Sequence, residues 1–369
     1  MTDDRRPTTD DRRIGSTPSS SVGRRSSDKH PSSIVASAPA KLILCGEHAV
    51  VYGRPAIALP LSGIRAHAAI TAGDPGSGMI LHARNLERSW RIADKPSDPL
   101  SLVVVDALQL FGISAPPDLL LSITSDIPIA SGMGSGASVA TALVRALAQF
   151  SGHDMTNEQI SALVYESEKR LHGTPSGIDN TVVAYERPIW FQRTTDDGRR
   201  TTDEEVLLSS AVYRPSSVIE PITIAAPFTL LIGDTGVRSA TRLPVGDVRR
   251  RWQNDPARYN ALFDHVGAIV AQVRAELARA GMGALGPLLN ENHTLLQQIG
   301  VSSPDLDRLV AAAREAGALG AKLSGAGWGG VMLALVDSRR QPAVVDALHA
   351  AGATRVLATE VRATGEQRD

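Results

Sequence analysis

Apolar positions along the chain fall into two rhythms. Leu119-Leu-Leu-Ser-Ile-Thr-Ser alternates large apolar with small polar side chains, the period-2 pattern of a strand with one drier face. Beyond the loop that follows, Val139, Leu143, Leu147 and Phe150 recur at helical spacing, with Gly152 as a stop signal. The same reading predicts strands at 66–72, 79–82 and 227–234 and a helix over 100–111. Thr156-Asn-Glu-Gln has the form of a capping box and opens a helix whose apolar stripe is Ile160, Val164 and Leu171. Helical stretches are expected around 247–279 and 283–299, then a helix at 305–316, strands at 319–323 and 330–336, a helix at 341–350 and a strand at 354–360. With the strand near 228, the C-terminal order is β-α-β-β-α-β, a split βαβ arrangement with extra helices inserted.

Residues 1–33 lack such rhythm, being rich in Arg, Ser, Thr, Asp and Pro, and they are expected to be disordered. Their paired arginines, Arg12-Arg13 and Arg24-Arg25, precede no apolar run, which argues against an export signal. No stretch reaches the length of a membrane span, so a cytoplasmic protein is expected. Its 369 residues, 43% hydrophobic and 21% charged, suit two globular domains, here 34–220 and 221–365, with an exposed excursion at 192–202. A net charge of -1 gives no reason to expect nucleic acid or membrane as a partner. The single cysteine, Cys45, excludes an internal disulfide and fits a reducing compartment, as a buried small hydrophobe in a strand.

Chemistry concentrates in four places. The first runs from Ile127 to Leu143, a glycine-rich loop leading from a strand into a helix. Unpaired N–H groups at the helix start and the helix dipole make such a loop an anion site, most often for phosphate. Gly132, Gly134 and Gly136 match neither the dinucleotide fingerprint nor a Walker loop, so a tight turn packing helix on sheet is the alternative. The second is Lys41 inside an apolar strand, followed by Glu47-His48 in a turn. A lysine there needs a negative neighbour or must snorkel outward, while the turn residues either line a cleft or bond locally. Third, Glu168 falls on the apolar stripe, where a carboxylate is costly unless paired or bound to a metal. The loop after it, His172-Gly-Thr-Pro-Ser-Gly-Ile-Asp-Asn, brings Asp179 to a helix start, as a functional carboxylate or an ordinary N-cap. A hydrolase built on Ser176, His172 and Asp179 is disfavoured, because no Gly-x-Ser-x-Gly surrounds Ser176. The fourth is Lys322-Leu-Ser-Gly-Ala-Gly-Trp-Gly-Gly, with more glycines than a hairpin needs, which suggests backbone approaching a ligand. Asp234 to Thr241 adds polar groups that could face the same ligand.

These motifs, in this order, resemble the GHMP kinase superfamily and, within it, the branch that phosphorylates mevalonate. Lys41 to Gly53 resembles the first family motif, Ile127 to Ala137 the phosphate loop, and Lys322 to Gly330 the third motif, while Glu168 to Asp179 is the most specific segment. The resemblance implies an α+β fold, with an N-terminal α/β nucleotide-binding domain and a C-terminal ferredoxin-like split βαβ domain. It implies ATP and Mg²⁺ as cofactors, mevalonate as the small-molecule substrate and a homodimer. By residue, it implies Asp179 as proton acceptor and Lys41 as stabiliser of developing charge. Ile129, Ala130, Ser131, Gly132, Met133, Gly134, Ser135, Gly136 and Ala137 would cradle the nucleotide phosphates. Glu168 would hold the metal, and Glu47, His48, His172, Thr241, Gly325 and Gly327 would contact substrate. Two positions depart from the family pattern. Gly136 stands where a serine usually ligates Mg²⁺, so Ser135 or water would substitute. Trp328 stands where glycine is usual and is expected to narrow the cleft. A kinase acting on phosphomevalonate or homoserine, or a nucleotide-binding relative without catalysis, are the alternatives.

Overall fold

The strand that carries Lys41, β1 (Ile34–Cys45), is buried on both faces over most of its length. It pairs antiparallel with the long β2 (Pro55–Ala72), and the register shifts between Pro39 and Ala40 and again between Ile43 and Cys45. The first shift reverses the period-2 alternation. Ala36 and Ala38 point into one core before it; beyond it Ile43 points there, while Ala40, Leu42 and Leu44 enter a second core. The computed structural model describes residues 33–129, 131–172, 175–193 and 217–365. The N-terminal segment expected to be disordered lies outside them except for Ser33, as do 194–202 of the expected excursion.

After β2 the chain forms β3 (Met79–Ala83), β4 (Arg88–Arg91), α1 (Pro99–Leu110) and β5 (Leu119–Ser125). Then come α2 (Ser135–Phe150), α3 (Asn157–His172), α4 (Ile178–Tyr185), β6 (Ile189–Arg193) and β7 (Ser217–Pro221). The strands form one sheet in the order β4-β3-β5-β2-β6-β7, with β1 added alongside β2. All its pairs are antiparallel except β3 with β5. Eighteen-residue β2 is the spine, bonding β5 through its C-terminal half and β6 through its N-terminal half. Helices α2 and α4 pack on β1 and β2, and α1 and α3 pack on α2. The predicted capping box is present: the Gln159 amide nitrogen donates to the Thr156 hydroxyl at 3.3 Å, and the Thr156 amide donates to the Gln159 side chain at 2.9 Å.

The second half contains β8 (Phe228–Asp234), α5 (Arg242–Asn254), α6 (Pro256–Arg279), α7 (Met282–Ile299) and α8 (Pro304–Glu315). It finishes with β9 (Gly320–Ser324), β10 (Val331–Val336), α9 (Gln341–Ala350) and β11 (Arg355–Val361). The sheet order β11-β8-β10-β9, antiparallel throughout, is that of a split βαβ arrangement. One expectation needs correction. The helix expected over 247–279 is two helices, starting at Arg242 and broken at Asp255, whose side chain caps α6 by accepting from the Arg258 amide at 3.2 Å. Pro256 enforces the break because its ring cannot continue the preceding helix, yet suits a first helical turn.

Beyond β1 the core continues without interruption: Ala40, Leu42 and Leu44 share a cluster with Phe263, Leu289 and Leu323 from α6, α7 and β9. The loops after β1, β5 and β9 therefore meet beside one strand.

Candidate active site

Gly134 N-caps α2 in the left-handed conformation, φ 72, and has no side chain with which to satisfy the first-turn amides. Those N–H groups remain available to an anion, and the dipole of a sixteen-residue helix adds to them. Gly134 also makes room: a Cβ there would lie 2.8 Å from Cγ of Lys41. Lys41, 3% exposed, runs its stem across this glycine and places its ammonium 2.8 Å from Oδ1 of Asp179. Its own amide donates to the Met133 carbonyl at 3.0 Å, tying strand to phosphate loop.

Asp179 occupies the first turn of α4, behind the uncapped Gly177. Glu168, on α3, is 6% exposed, and burial, then the neighbouring Asp179 charge, raise its pKa to about 7 against the opposing pull of Lys41. A Cβ on Gly136 would come 3.1 Å from Oε1 of Glu168, so the carboxylate borders the start of α2. Lys41, Asp179 and Glu168 line one cavity of about 220 Å³, with Gly132, Glu47, His48, Thr241 and Gly325 around it.

Each turn residue has a fixed partner. His48 adopts φ 60, which costs on the order of 1–3 kcal/mol for a residue with a Cβ. Its Nε2–H donates to the Ala326 carbonyl at 3.0 Å, and burial lowers its pKa to about 4, leaving the ring neutral. Glu47 pairs with Lys322, both sealed from solvent, and the Lys322 ammonium also donates to the Leu323 carbonyl at 2.5 Å. Ser324 closes the seam by donating to the Ile43 carbonyl at 2.9 Å and accepting from the Ile43 amide at 3.2 Å.

Not every sequence-predicted residue reaches this cavity. Ala130 lies outside the described residues, as does the side chain of His172, whose backbone ends α3. Ile129 is 55% exposed and does not line the cavity. Ser131, Met133 and Ala137 bury their side chains, while Gly132, Ser135 and Gly136 remain accessible. In the third motif the surplus glycines mostly serve packing. A Cβ on Gly327 would strike the Val301 carbonyl oxygen at 1.9 Å, and one on Gly330 would sit 2.9 Å from that of Ser131. Trp328 does not narrow the cleft: it is absent from the lining, and its indole N–H donates to the Gly300 carbonyl at 2.9 Å.

Sequence reading overlooked one wall of the cavity. Helix α5 contributes Thr241, Arg242, Val245 and Arg249. Placing its start at 247 hid the four-residue spacing of 241, 245 and 249 that defines one helix face. Arg250 and Arg251 on this helix pair with Asp247, whereas Arg242 and Arg249 face the cavity with no ion pair among the described residues. No cluster of three or more His, Cys, Asp or Glu suited to a metal occurs among those residues. A cation here would take few protein ligands and rely on those its substrates bring, the usual arrangement for Mg²⁺. Glu168 fits that requirement. No helix among the described residues is long and apolar enough to cross a membrane.

Comparison with known proteins agrees with this geometry. Residues 101–187 match the GHMP kinases N terminal domain, and residues 273–354 the GHMP kinases C terminal. A mevalonate kinase of Thermococcus gammatolerans is 33% identical over 352 residues, covering 90% of this chain and 97% of that protein. That of Pyrococcus horikoshii is 33% identical over 339 residues, covering 86% and 93% respectively. Among solved structures, the L. major mevalonate kinase in complex with R-mevalonate superposes with a TM-score of 0.74 at 30% identity, covering 90% of this chain and 97% of that one.

Proposed function

The chain belongs to the mevalonate kinase family of the GHMP kinases, and we propose that it transfers the γ-phosphoryl group of ATP to the primary C5 hydroxyl of mevalonate, giving 5-phosphomevalonate for isoprenoid biosynthesis. The observation that carries this reading is the Lys41–Asp179 pair, held beside the uncapped start of α2 in one cavity. A phosphoryl transfer requires an anion cradle, a proton acceptor and a fixed cation rather than a covalent intermediate.

In the proposed step the hydroxyl oxygen forms a bond to the γ-phosphorus as the bond from phosphorus to the bridging oxygen of ADP breaks. The hydroxyl proton passes to Asp179. Lys41 occupies one oxygen of that carboxylate, orienting the other towards the substrate, and its ammonium offsets charge developing on the phosphoryl oxygens. The amides at the start of α2 hold the nucleotide phosphates. Glu168, with the Ser135 hydroxyl or water where Gly136 offers none, would hold Mg²⁺. Bound there, the ion would neutralise phosphate charge. Arg242 and Arg249 at the cavity wall supply cations for the substrate carboxylate, far along the molecule from its reacting hydroxyl. The family resemblance also supports a cytoplasmic homodimer, which light scattering would register as twice the chain mass.

The test is to incubate the protein with Mg-ATP and, separately, mevalonate, phosphomevalonate and homoserine, and to identify products by phosphorus NMR. ADP and a new phosphate monoester from mevalonate alone are expected. A diphosphate formed from phosphomevalonate would move the substrate assignment, and no turnover of any of them would end the catalytic reading. For the metal, Gly136→Ser is expected to lower the Mg²⁺ concentration needed for half-maximal rate; an unchanged Mg²⁺ dependence would mean the missing hydroxyl has no consequence.

A further inference from the structure

Glu47 and Lys322 form a buried ion pair in the cavity wall, and nothing in the proposed phosphoryl transfer uses it. Lys322 sits on β9 with no exposed surface, and Glu47 is 1% exposed in the turn after β1. Sealing two charges in this way carries a desolvation penalty that mutual attraction repays only with good geometry and further hydrogen bonds. Lys322 is provided for, because it also donates to the Leu323 carbonyl. Glu47 is provided for on one side only. Its Oε1 meets Lys322, whereas its buried Oε2 has no hydrogen-bond partner. The amides of Glu47 and Gly325 favour its charge without reaching hydrogen-bond geometry at that oxygen, and burial still drives its pKa upward. A buried acceptor left open calls for an explanation, and this one belongs to a residue that lines the substrate cavity.

We infer that Glu47 is the acceptor for a second hydroxyl of the phosphoryl-accepting substrate, and that Lys322 is the positioning residue that holds it there. Resting on the mevalonate reading above, the inference assigns Glu47 Oε2 to the tertiary C3 hydroxyl, while the C5 hydroxyl lies at Asp179 and the carboxylate at Arg242 and Arg249. Lys322 fixes which carboxylate oxygen stays open by occupying the other. It also prevents Glu47 from repelling the anionic substrate, since the pair is neutral overall. A neighbouring contact makes the position rigid: His48 bonds Ala326, so the turn carrying Glu47 and the loop after β9 move as one. A site that holds a substrate hydroxyl by a buried charged group discriminates strongly against an analogue without it.

The experiment compares kcat/KM for mevalonate with that for 5-hydroxy-3-methylpentanoate, which is mevalonate without its C3 hydroxyl. The wild-type protein is expected to prefer mevalonate by about ten- to a hundredfold, with the KM for ATP unaffected. In the double variant Glu47→Leu/Lys322→Met, which leaves neither charge buried alone, the preference should collapse to within about threefold. A purely structural defect would lower both rates together and leave the ratio intact. Retention of the wild-type ratio in the double variant would overturn the assignment. So would equal use of the two compounds by the wild-type protein, an outcome that needs no variant to fold. Failure of the wild type to phosphorylate mevalonate at all would instead overturn the functional reading, and this inference with it.

Discussion

Lys41 meets a carboxylate side chain that is 34% exposed, while Lys322 meets one that is only 1% exposed. Both lysines are themselves buried, both sit in strands, and both pairs border the same cavity. Exposure of the acid separates them. At Asp179 the carboxylate faces an open space where a substrate can enter, so the pair can hand charge and protons to a reaction. At Glu47 the charges are locked between two loops, and the low local dielectric makes any change of partner costly. The first pair is equipped for chemistry and the second for position.

The largest effect expected from breaking this contrast is at Asp179. Asp179→Asn keeps the shape and removes the proton acceptor, so turnover should fall by about 10²–10⁴-fold or more while ATP affinity stays nearly constant. Steady-state rates alongside calorimetric ATP binding would decide it, and substantial residual activity would remove Asp179 from the role. Next comes Lys322→Met, which leaves Glu47 charged and unpaired in the interior. A loss of about 3–5 kcal/mol in denaturant unfolding is expected, mostly recovered by adding Glu47→Leu. If the single variant were as stable as wild type, the pair would not be the sealed one described.

The smallest effect concerns acid. His293 is buried at 2% exposure, accepts from the Leu323 amide at Nδ1, and so presents Nε2–H to Asp307, 3.1 Å away. Burial, with the nearby Arg314 and Lys322 charges, outweighs Asp307 and pushes its pKa down to about 4. Because an unfolded histidine titrates near 6.5, the unfolded chain takes up this proton first. The contribution of His293 is therefore full above about pH 6.5 and fades as pH falls towards 4. Glu168, with its raised pKa, acts in the opposite direction, so the informative quantity is a difference between proteins. The Tm gap between wild type and His293→Gln should shrink from pH 7 to pH 4; a constant gap would show that His293 is not held neutral.

Elements with strong local signals were legible. The Thr156–Gln159 box, the alternation at β5 and the glycine-to-helix junction at α2 each encode their structure within a few residues, by capping, pleat period or positive φ. Glu168 was legible as well, since a carboxylate on an apolar helical stripe is already a contradiction that demands a partner. The wall formed by α5 was not, because its arginines look like any solvated helix face until the cavity is seen.

The sequence alone determined the order of strands and helices, the phosphate loop and the charged residues that the fold had to accommodate, because hydrophobic period and glycine placement act over short range. Only the tertiary structure decided which lysine met which carboxylate. Lys41 reaches Asp179 after the register shift at Pro39/Ala40 turns its side of β1 towards α2 and α4, and Lys322 reaches Glu47 across 275 positions of chain. Neither contact leaves a local trace, since strand register and the meeting of distant loops are set by how the whole chain buries its apolar faces.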